Sequence, residues 1–187
     1  TGCLDSTIMN IAINSVPIKI NGNKTVCANS THDYYISPEE DYGYEWLVIG
    51  GQIQGNTQDT IVTVQWGDGE IGILKLARIN LSTQDVDTVT TNITIIPLPD
   101  IKIFGTSESC EGDIEKYYTD KNDDLINLWS VTGGEIIGDS TSDTIVVDWQ
   151  TIDPDIDSIY IYSYVTLQRT NTETGCVNEK TQGVSLG

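Results

Sequence analysis

The hydrophobic positions along this chain recur with a period of two. Around the middle of the first half, Tyr44, Trp46 and Val48 alternate with Glu45 and Leu47. Ile and Val alternate with Tyr and Thr in the same way over residues 159–167, and Gly, Asn, Asp and Ser fill the gaps between such runs. A period of two places successive side chains on opposite faces of a strand. The pattern therefore predicts an all-β protein of short strands, and no stretch shows a helical period.

The sequence also repeats itself at one nearly constant offset. Equivalent positions include Ile18 and Ile101, Cys27 and Cys110, Tyr34 and Tyr117, Trp46 and Trp129, Gly50-Gly51 and Gly133-Gly134, and Trp66 and Trp149. A third, partial copy stands at the start, where Thr1-Gly2-Cys3 matches Thr174-Gly175-Cys176. We therefore divide the chain into the last strand of a preceding repeat (1–17), repeat 1 (18–99) and repeat 2 (100–187).

Each repeat is long enough for about seven strands, which predicts an immunoglobulin-like sandwich of two antiparallel sheets. Trp46 and Trp129 fall on the predicted third strands, where a large aromatic ring can bridge the two sheets. The segment Pro97-Leu98-Pro99 connects the repeats. Because proline fixes φ and favours extended backbone, this linker is stiff, and the two sandwiches are expected to lie end to end.

Charge and composition exclude several functions. The chain has 9 Lys and Arg against 28 Asp and Glu, a net charge of −19. This excess argues against nucleic-acid binding and against docking on anionic lipid. No apolar run is long enough for insertion into a membrane as a helix. The single histidine, His32, argues against a histidine metal site and a Ser-His-Asp triad, and we expect no enzymatic activity.

The two repeats share a motif that is clearest in repeat 1, while repeat 2 departs from it in having Asn127-Leu128-Trp129 in place of Tyr-x-Trp. The motif reads Cys27, then Tyr-x-Trp-x-Val-x-Gly-Gly-x-Ile over residues 44–53, then Asp-Thr-Ile-Val-x-Val-x-Trp over 59–66, with a late Gly175-Cys176 in repeat 2. This motif resembles the PKD-like repeats of Bacteroidota surface proteins, which are strung in tandem in large adhesins, including those of the gliding-motility (SprB-like) type. Repeat 1 departs from it, since it has Asp85-Val86-Asp87 near the place of the late Gly-Cys.

The resemblance implies a structural or adhesive segment of a large cell-surface adhesin, exported by type IX secretion and serving gliding motility or surface attachment. The implied partners are surface polysaccharide, other cell-surface proteins and neighbouring repeats of the same chain. A carbohydrate-binding module of a secreted multidomain enzyme is the alternative, and a component domain of a secretion machine is a third. The chain opens on Thr1 without a leader, so we expect a fragment or a processed form.

Four cysteines allow three complete pairings, and the absence of a C-x-x-C motif argues against zinc. The resemblance implies a disulfide between Cys110 and Cys176, as a second-strand and a late-strand cysteine of repeat 2. A Cys3–Cys27 bridge would hold the N-terminal tail; the alternative is two free thiols with the tail paired as a strand. Disulfides imply an oxidising, extracellular location.

Two acidic segments are candidates for calcium. Asp120, Asn122 and Asp124 alternate along one loop, and Asp153, Asp155 and Asp157 alternate along a second. Alternate side chains of an extended segment face one side, and oxygen ligands suit a hard cation. Neither segment has the glycine and final glutamate of an EF-hand, so a solvated acidic loop is the alternative reading.

A row of tyrosines is a candidate ligand-binding surface. If Ile161, Val165 and Leu167 face the core, then Tyr160, Tyr162 and Tyr164 all face outward. Exposed aromatic rows are contact surfaces, and sugars are the ligand that we expect here. The alternative is that the rings lean on neighbouring strands. Repeat 1 has no such row, so the fold does not require it.

Overall fold

The computed structural model describes residues 17–149 and 163–187, and all the secondary structure in these ranges is β. Repeat 1, from here on unit 1, has seven strands: β1 (Thr25–Cys27), β2 (Thr31–Tyr35), β3 (Tyr42–Ile49), β4 (Gly51–Gln54), β5 (Ile61–Trp66), β6 (Ile71–Asn80) and β7 (Val86–Ile96). Repeat 2, from here on unit 2, has seven strands within its described residues: β8 (Glu108–Ser109), β9 (Ile114–Tyr118), β10 (Leu125–Thr132), β11 (Glu135–Ile137), β12 (Thr144–Asp148), β13 (Ser163–Asn171) and β14 (Val177–Leu186).

The two units have the same topology. Unit 1 has one sheet in the order β1-β7-β6-β3 and another in the order β2-β5-β4. Unit 2 repeats this arrangement as β8-β14-β13-β10 and β9-β12-β11. Among the strands that the structure describes, all pairs are antiparallel except β1 with β7 and β8 with β14, in which the short first strand of each unit lies parallel to the last. The chain is thus an all-β tandem of two immunoglobulin-like sandwiches, as the sequence predicts.

Each unit has its own hydrophobic core around its tryptophans. Trp46 and Trp129 are buried on the third strands, and each indole N–H donates to a backbone carbonyl just before the middle strand of the opposite sheet, Asp59 or Ser142. The sheet-bridging role predicted for these two rings is confirmed. The second tryptophan of each unit packs edge-on against a buried tyrosine, Trp66 on Tyr34 and Trp149 on Tyr117.

The turn after the third strand depends on glycine. Gly50 has φ +81° and Gly133 has φ +82°, a region that L side chains avoid. The second glycine of each pair leaves no room for a side chain, because a Cβ on Gly51 or Gly134 would stand 2.8 Å from a backbone oxygen. The Gly-Gly pairs that mark the repeat in the sequence therefore close the same turn in both units.

Candidate functional site at the junction of the two units

A disulfide joins the two units to each other. Cys27 of unit 1 is bonded to Cys176 of unit 2, with an S–S distance of 2.01 Å and a Cα–Cα distance of 5.6 Å. The two cysteines are 149 positions apart in the sequence. Cys110, the remaining cysteine in the described part of the chain, is an exposed free thiol.

The bond connects the two ends of the linker. Cys27 pairs in register with Ile96, the last residue of β7, and so stands where the chain leaves unit 1. Cys176 lies in the turn between β13 and β14, beside the start of unit 2, since Asn178 donates a hydrogen bond to the carbonyl of Pro99. We call the end of unit 1 at which the chain leaves it the exit pole, and the end of unit 2 at which the chain enters it the entry pole. The disulfide therefore joins these two poles covalently beside the Pro97–Pro99 connection.

The pairing of Cys110 with Cys176 is wrong, and strand geometry gives the reason. Cys110 follows β8 beside Gly187, whereas Cys176 precedes β14. The 10 residues of β14 therefore lie between them, which at about 3.3 Å per residue places them more than roughly 30 Å apart. A disulfide requires Cα atoms within about 7 Å. The Cys3–Cys27 bridge is also wrong, because Cys27 is bonded elsewhere; Cys3 itself lies outside the described residues.

The linker is packed on both sides. Leu98 packs against the core of unit 1, and Ile101 is part of the core of unit 2. Between them, the carbonyl of Asp100 accepts a hydrogen bond from Arg169 at 3.2 Å, and that of Ile101 accepts one from Lys180 at 3.4 Å. The connection thus has apolar anchors on both units and polar contacts to unit 2, in addition to the disulfide.

A groove of about 400 Å³ runs beside the disulfide and is lined from both units, by Thr25, Val26, Cys27, His32, Ile96, Glu173, Thr174 and Cys176. His32 sits in it between two polar neighbours: its Nε2 is 3.1 Å from the Ser30 hydroxyl and its Nδ1 is 3.3 Å from the Asn23 amide. The groove is a feature of the joint, because neither unit could form it alone.

A buried arginine holds the first candidate calcium loop. Arg169 is 1% exposed and donates to Asn127 Oδ1 at 3.0 Å, to Asp120 Oδ1 at 3.1 Å and to the Asp120 carbonyl. Burial acts to raise the pKa of Asp120, but the charge of Arg169, together with hydrogen bonds from the Asp120 backbone, the Thr119 hydroxyl and Arg169, outweighs it and lowers the pKa below its ordinary value. The Asp120 carboxylate is therefore engaged by an internal cation.

The rest of that loop is also satisfied internally. Asn122 Oδ1 accepts the backbone N–H of Asp124 at 3.0 Å, and Lys121 pairs with Asp123 at 3.2 Å. Within residues 17–149 and 163–187 no three His, Cys, Asp or Glu side chains are gathered as a metal site would require. Calcium binding at Asp120, Asn122 and Asp124 stays a prediction, which a calcium-dependent rise in melting temperature would confirm and an unchanged one would contradict.

Unit 1 contains an equivalent arginine. Arg78 is 3% exposed, donates to Glu39 at 2.6 Å and to Asp87 at 2.8 Å, and lies 4.7 Å from the centre of the Tyr42 ring. The hydrogen bond to Asp87 raises the pKa of Arg78 above its ordinary value, against the effect of burial. Sequence reasoning missed both arginines, although each continues an alternating run of core residues, Leu74 and Leu76 before Arg78 and Val165 and Leu167 before Arg169.

The remaining predicted site residues are only partly described. Asp153, Asp155, Asp157, Tyr160 and Tyr162 lie outside the described residues. Tyr164 is half-buried on β13, on the face opposite the fully buried Val165 and Leu167. The outward orientation expected for Tyr164 is thus observed, while sugar binding by the row stays a prediction.

Comparison with known proteins assigns no family to this chain. No protein-family model matches the chain, and no curated protein matches it. Solved structures with a similar fold include three N-terminal domains of the bacteriophage RB49 highly immunogenic outer capsid protein (14% identity, 90% of this chain, 58% of that one, TM-score 0.37). Another is a SusE-like surface-located polysaccharide-binding protein of Bacteroides thetaiotaomicron (10% identity, 91% and 34% coverage, TM-score 0.46).

A third similar structure is that of Drosophila N-cadherin EC1-4, at 14% identity, with 90% of this chain and 49% of that one covered and a TM-score of 0.37. The chain therefore spans between about a third and three fifths of the length of these three proteins. At such identities the likeness concerns the sandwich fold alone.

Proposed function

We propose that this chain is a load-bearing tandem segment of a cell-surface adhesin, which extends a binding region away from the cell. It performs no chemistry of its own. Its location is extracellular, because a structural disulfide persists in an oxidising compartment. Its net charge of −19 keeps neighbouring copies soluble and mutually repelling on a crowded surface.

The observation that supports the proposal is the Cys27–Cys176 bond. A bond within one sandwich would stabilise that sandwich, but this one joins the exit pole of unit 1 to the entry pole of unit 2. Together with Leu98 and Ile101, which anchor the linker in the two cores, it restrains bending at the joint. A restrained joint between independent sandwiches is what a stalk needs and what a catalytic pocket does not.

Small-angle scattering tests the extended shape. Two units of about 85 residues whose centres lie about 40 Å apart have a radius of gyration of about 23 Å, against about 16 Å for one compact domain of this length. We expect the larger value for the oxidised protein. A value near 16 Å would show that the units fold side by side and would contradict a stalk.

A matched pair of variants tests the role of the bond. Cys27→Ser removes it, and Cys110→Ser removes the free thiol and leaves the bond intact. We expect a broader distribution of interdomain distances in Cys27→Ser, measured by double electron–electron resonance between labels on the two units, and no change in Cys110→Ser. Equal distributions in both variants would show that the disulfide does not restrain the joint.

Carbohydrate binding is the second candidate function, and one exposed pair of rings favours it. Phe104 and Tyr118 of unit 2 stack at 5.1 Å with an angle of 20° between the rings, and they are 41% and 50% exposed. The rings are nearly parallel and stacked on each other, and their exposed parts form an apolar aromatic patch. A glycan array with the intact protein and with Phe104→Ala tests this: retained binding to a glycan in the variant, or no binding by either protein, would contradict it.

A further inference from the structure

Cys110 occupies in unit 2 the place that Cys27 occupies in unit 1. Cys27 follows Thr25 and Val26, which pair in parallel with Thr94 and Ile95. Cys110 follows Glu108 and Ser109, which pair in parallel with Ser185 and Leu186 of β14. The next step of this register puts Cys110 beside Gly187, as Cys27 stands beside Ile96. Both cysteines thus mark the pole at which the last strand of their unit ends.

Cys27, the equivalent of Cys110 in unit 1, is already in a disulfide, and its partner indicates the kind of cysteine that Cys110 would bond. Cys27 is joined to a cysteine in the β13–β14 turn of the unit that follows it. Cys110 has the same backbone position and an exposed thiol. We propose that Cys110 is an inter-unit attachment site, which forms a disulfide with the corresponding turn cysteine of a further immunoglobulin-like unit joined after Gly187. This inference rests on the proposed function as a tandem segment.

The partner is defined by the structure of the turn that carries Cys176. Asn171 Oδ1 accepts the backbone N–H groups of Glu173 and Thr174, and Gly175 has φ +71°. These contacts fix the turn and present Cys176 next to the linker. The predicted partner therefore carries the signature Asn-x-x-Thr-Gly-Cys, whose last three residues also occur in this chain as Thr1-Gly2-Cys3.

Unit 1 shows that the turn and the cysteine are separable. Its equivalent turn begins at Asn80, whose Oδ1 accepts the N–H groups of Ser82 and Thr83, and Gln84 has φ +63°. Asp85 stands where unit 2 has Cys176. The turn therefore forms without a cysteine, and attachment depends on whether the following unit supplies one.

The bond forms by thiol–disulfide exchange. The Cys110 thiolate attacks a small-molecule or protein disulfide and expels one thiolate; the turn cysteine then attacks the mixed disulfide at the Cys110 sulfur and expels the second. Two protein thiols are oxidised to one disulfide, one external disulfide is reduced to two thiols, and the two protons leave with these products. The external disulfide belongs to the oxidising compartment.

The test uses the full chain with a second copy of residues 97–187 attached directly after Gly187, in which the copy's own Cys110 is changed to Ser so that the molecule contains a single Cys110. Gly187 lies beside Cys110 as Ile96 lies beside Cys27, so the attached copy begins at the equivalent position of unit 2. Its Cys176 is therefore expected to face Cys110 in the way that the original Cys176 faces Cys27. The protein is folded in oxidised and reduced glutathione, free thiols are alkylated, and disulfide-linked peptides are mapped by mass spectrometry. We expect Cys110 linked to the attached Cys176, and alkylation of Cys110 lowered about tenfold relative to the two-unit chain.

The Cys27–Cys176 bond in the same molecules serves as the internal standard, since its presence shows that the units folded and the buffer was oxidising. Cys110 alkylated in molecules that contain this bond would overturn the proposal, and so would a bond between the Cys110 residues of two molecules. A control in which the attached Cys176 is changed to Asp, the residue at this position in unit 1, should leave Cys110 fully alkylated. If scattering shows an extended chain but Cys110 stays free, the tandem function stands and the attachment fails.

Discussion

When the chain is pulled at its two ends, the force should pass through the disulfide and bypass most of both units. A force applied at the two ends of the chain reaches Cys27 from one side and Cys176 from the other, and then passes through the S–S bond. The residues between the two cysteines include β2 to β7 and all of unit 2 up to β13. As long as the bond is intact, these strands can be extended only as a closed loop that bears no net load. Reduction of the bond, or Cys27→Ser, places them in the path of the force.

The magnitude follows from the sequence separation. The two cysteines are 149 positions apart, and a stretched chain gains about 3.5 Å per residue, so the intact bond hides about 520 Å of contour length. Without the bond, each unit should unfold in a separate step. A unit of roughly 80 residues stretches to about 280 Å and replaces a folded length of about 36 Å, the length of its longest strand, so each step should measure about 240 Å.

Single-molecule force spectroscopy measures both quantities, with the protein held through cysteine-free tags at its two ends. The same molecules are stretched before and after addition of reductant, and Cys110→Ser serves as the control that keeps the bond. We expect two steps of about 240 Å only in reductant and in Cys27→Ser.

The result that would refute this reasoning is equally specific. Two full-length unfolding steps in the oxidised wild type, with Cys27–Cys176 verified by peptide mapping, would mean that the bond does not lie in the load path. A total length that does not differ by about 520 Å between oxidised and reduced molecules would lead to the same conclusion.

Three further predictions concern the units themselves. Arg169→Ala leaves Asp120 and Asn127 without their buried partner and should cost about 3 kcal/mol in urea unfolding, against less than about 0.5 kcal/mol for the exposed Lys121→Ala. Because the folded-state pKa of Asp120 is lowered, its contribution is present above the ordinary carboxyl pKa and is lost as the pH falls through the folded value; Arg169→Ala should therefore weaken the acid sensitivity of the free energy of unfolding. Gly72→Ala would place a Cβ 2.2 Å from Trp66 and should cost about 1–3 kcal/mol, whereas Gly69→Ala, with nothing within 4 Å, should be near neutral by thermal unfolding.

The fold could be predicted from the sequence because several local signals agree. The period of two, the Gly-Gly turns and the equivalence of Trp46 with Trp129 all indicate the same sandwich twice. Each of these signals can be recognised from the local order of residues, because it depends on which face a side chain occupies or on which residues a tight turn accepts. The position of the linker was predictable for the same reason, since Pro97 and Pro99 restrict the backbone locally, whereas its stiffness stays a prediction.

The disulfide pairing could not be predicted, because it depends on which poles of two separate units face each other. The sequence places Cys110 and Cys176 in one repeat, and the resemblance to PKD-like repeats implies that pair. The structure separates them by the full length of β14 and brings Cys27 to Cys176 across the linker instead. The short β1 was the missing information: it lies parallel to β7 and carries Cys27 to the exit of the unit.

The buried arginines, in contrast, had a readable signal. Arg78 and Arg169 stand two positions after a core leucine in an alternating strand, so their side chains point inward. A buried guanidinium requires acceptors, and in an acidic chain the nearest loops provide carboxylates. From the sequence, the acidic loop around Asp120 could therefore have been interpreted in two ways, as the partner of a buried arginine or as a cation site.

Comparison of the two units distinguishes the residues that the sandwich fold requires from those that the disulfide between units requires. Both units keep the bridging tryptophan, the buried arginine and the asparagine-stabilised turn, which are the features that close each sandwich. Only unit 2 has a cysteine in that turn, and unit 1 has Asp85 there and folds in the same topology. The cysteine is thus dispensable for folding a unit and specific to the connection before it. A chain built in this way can set the stiffness of each joint by one residue in one turn, while the sandwiches themselves stay unchanged.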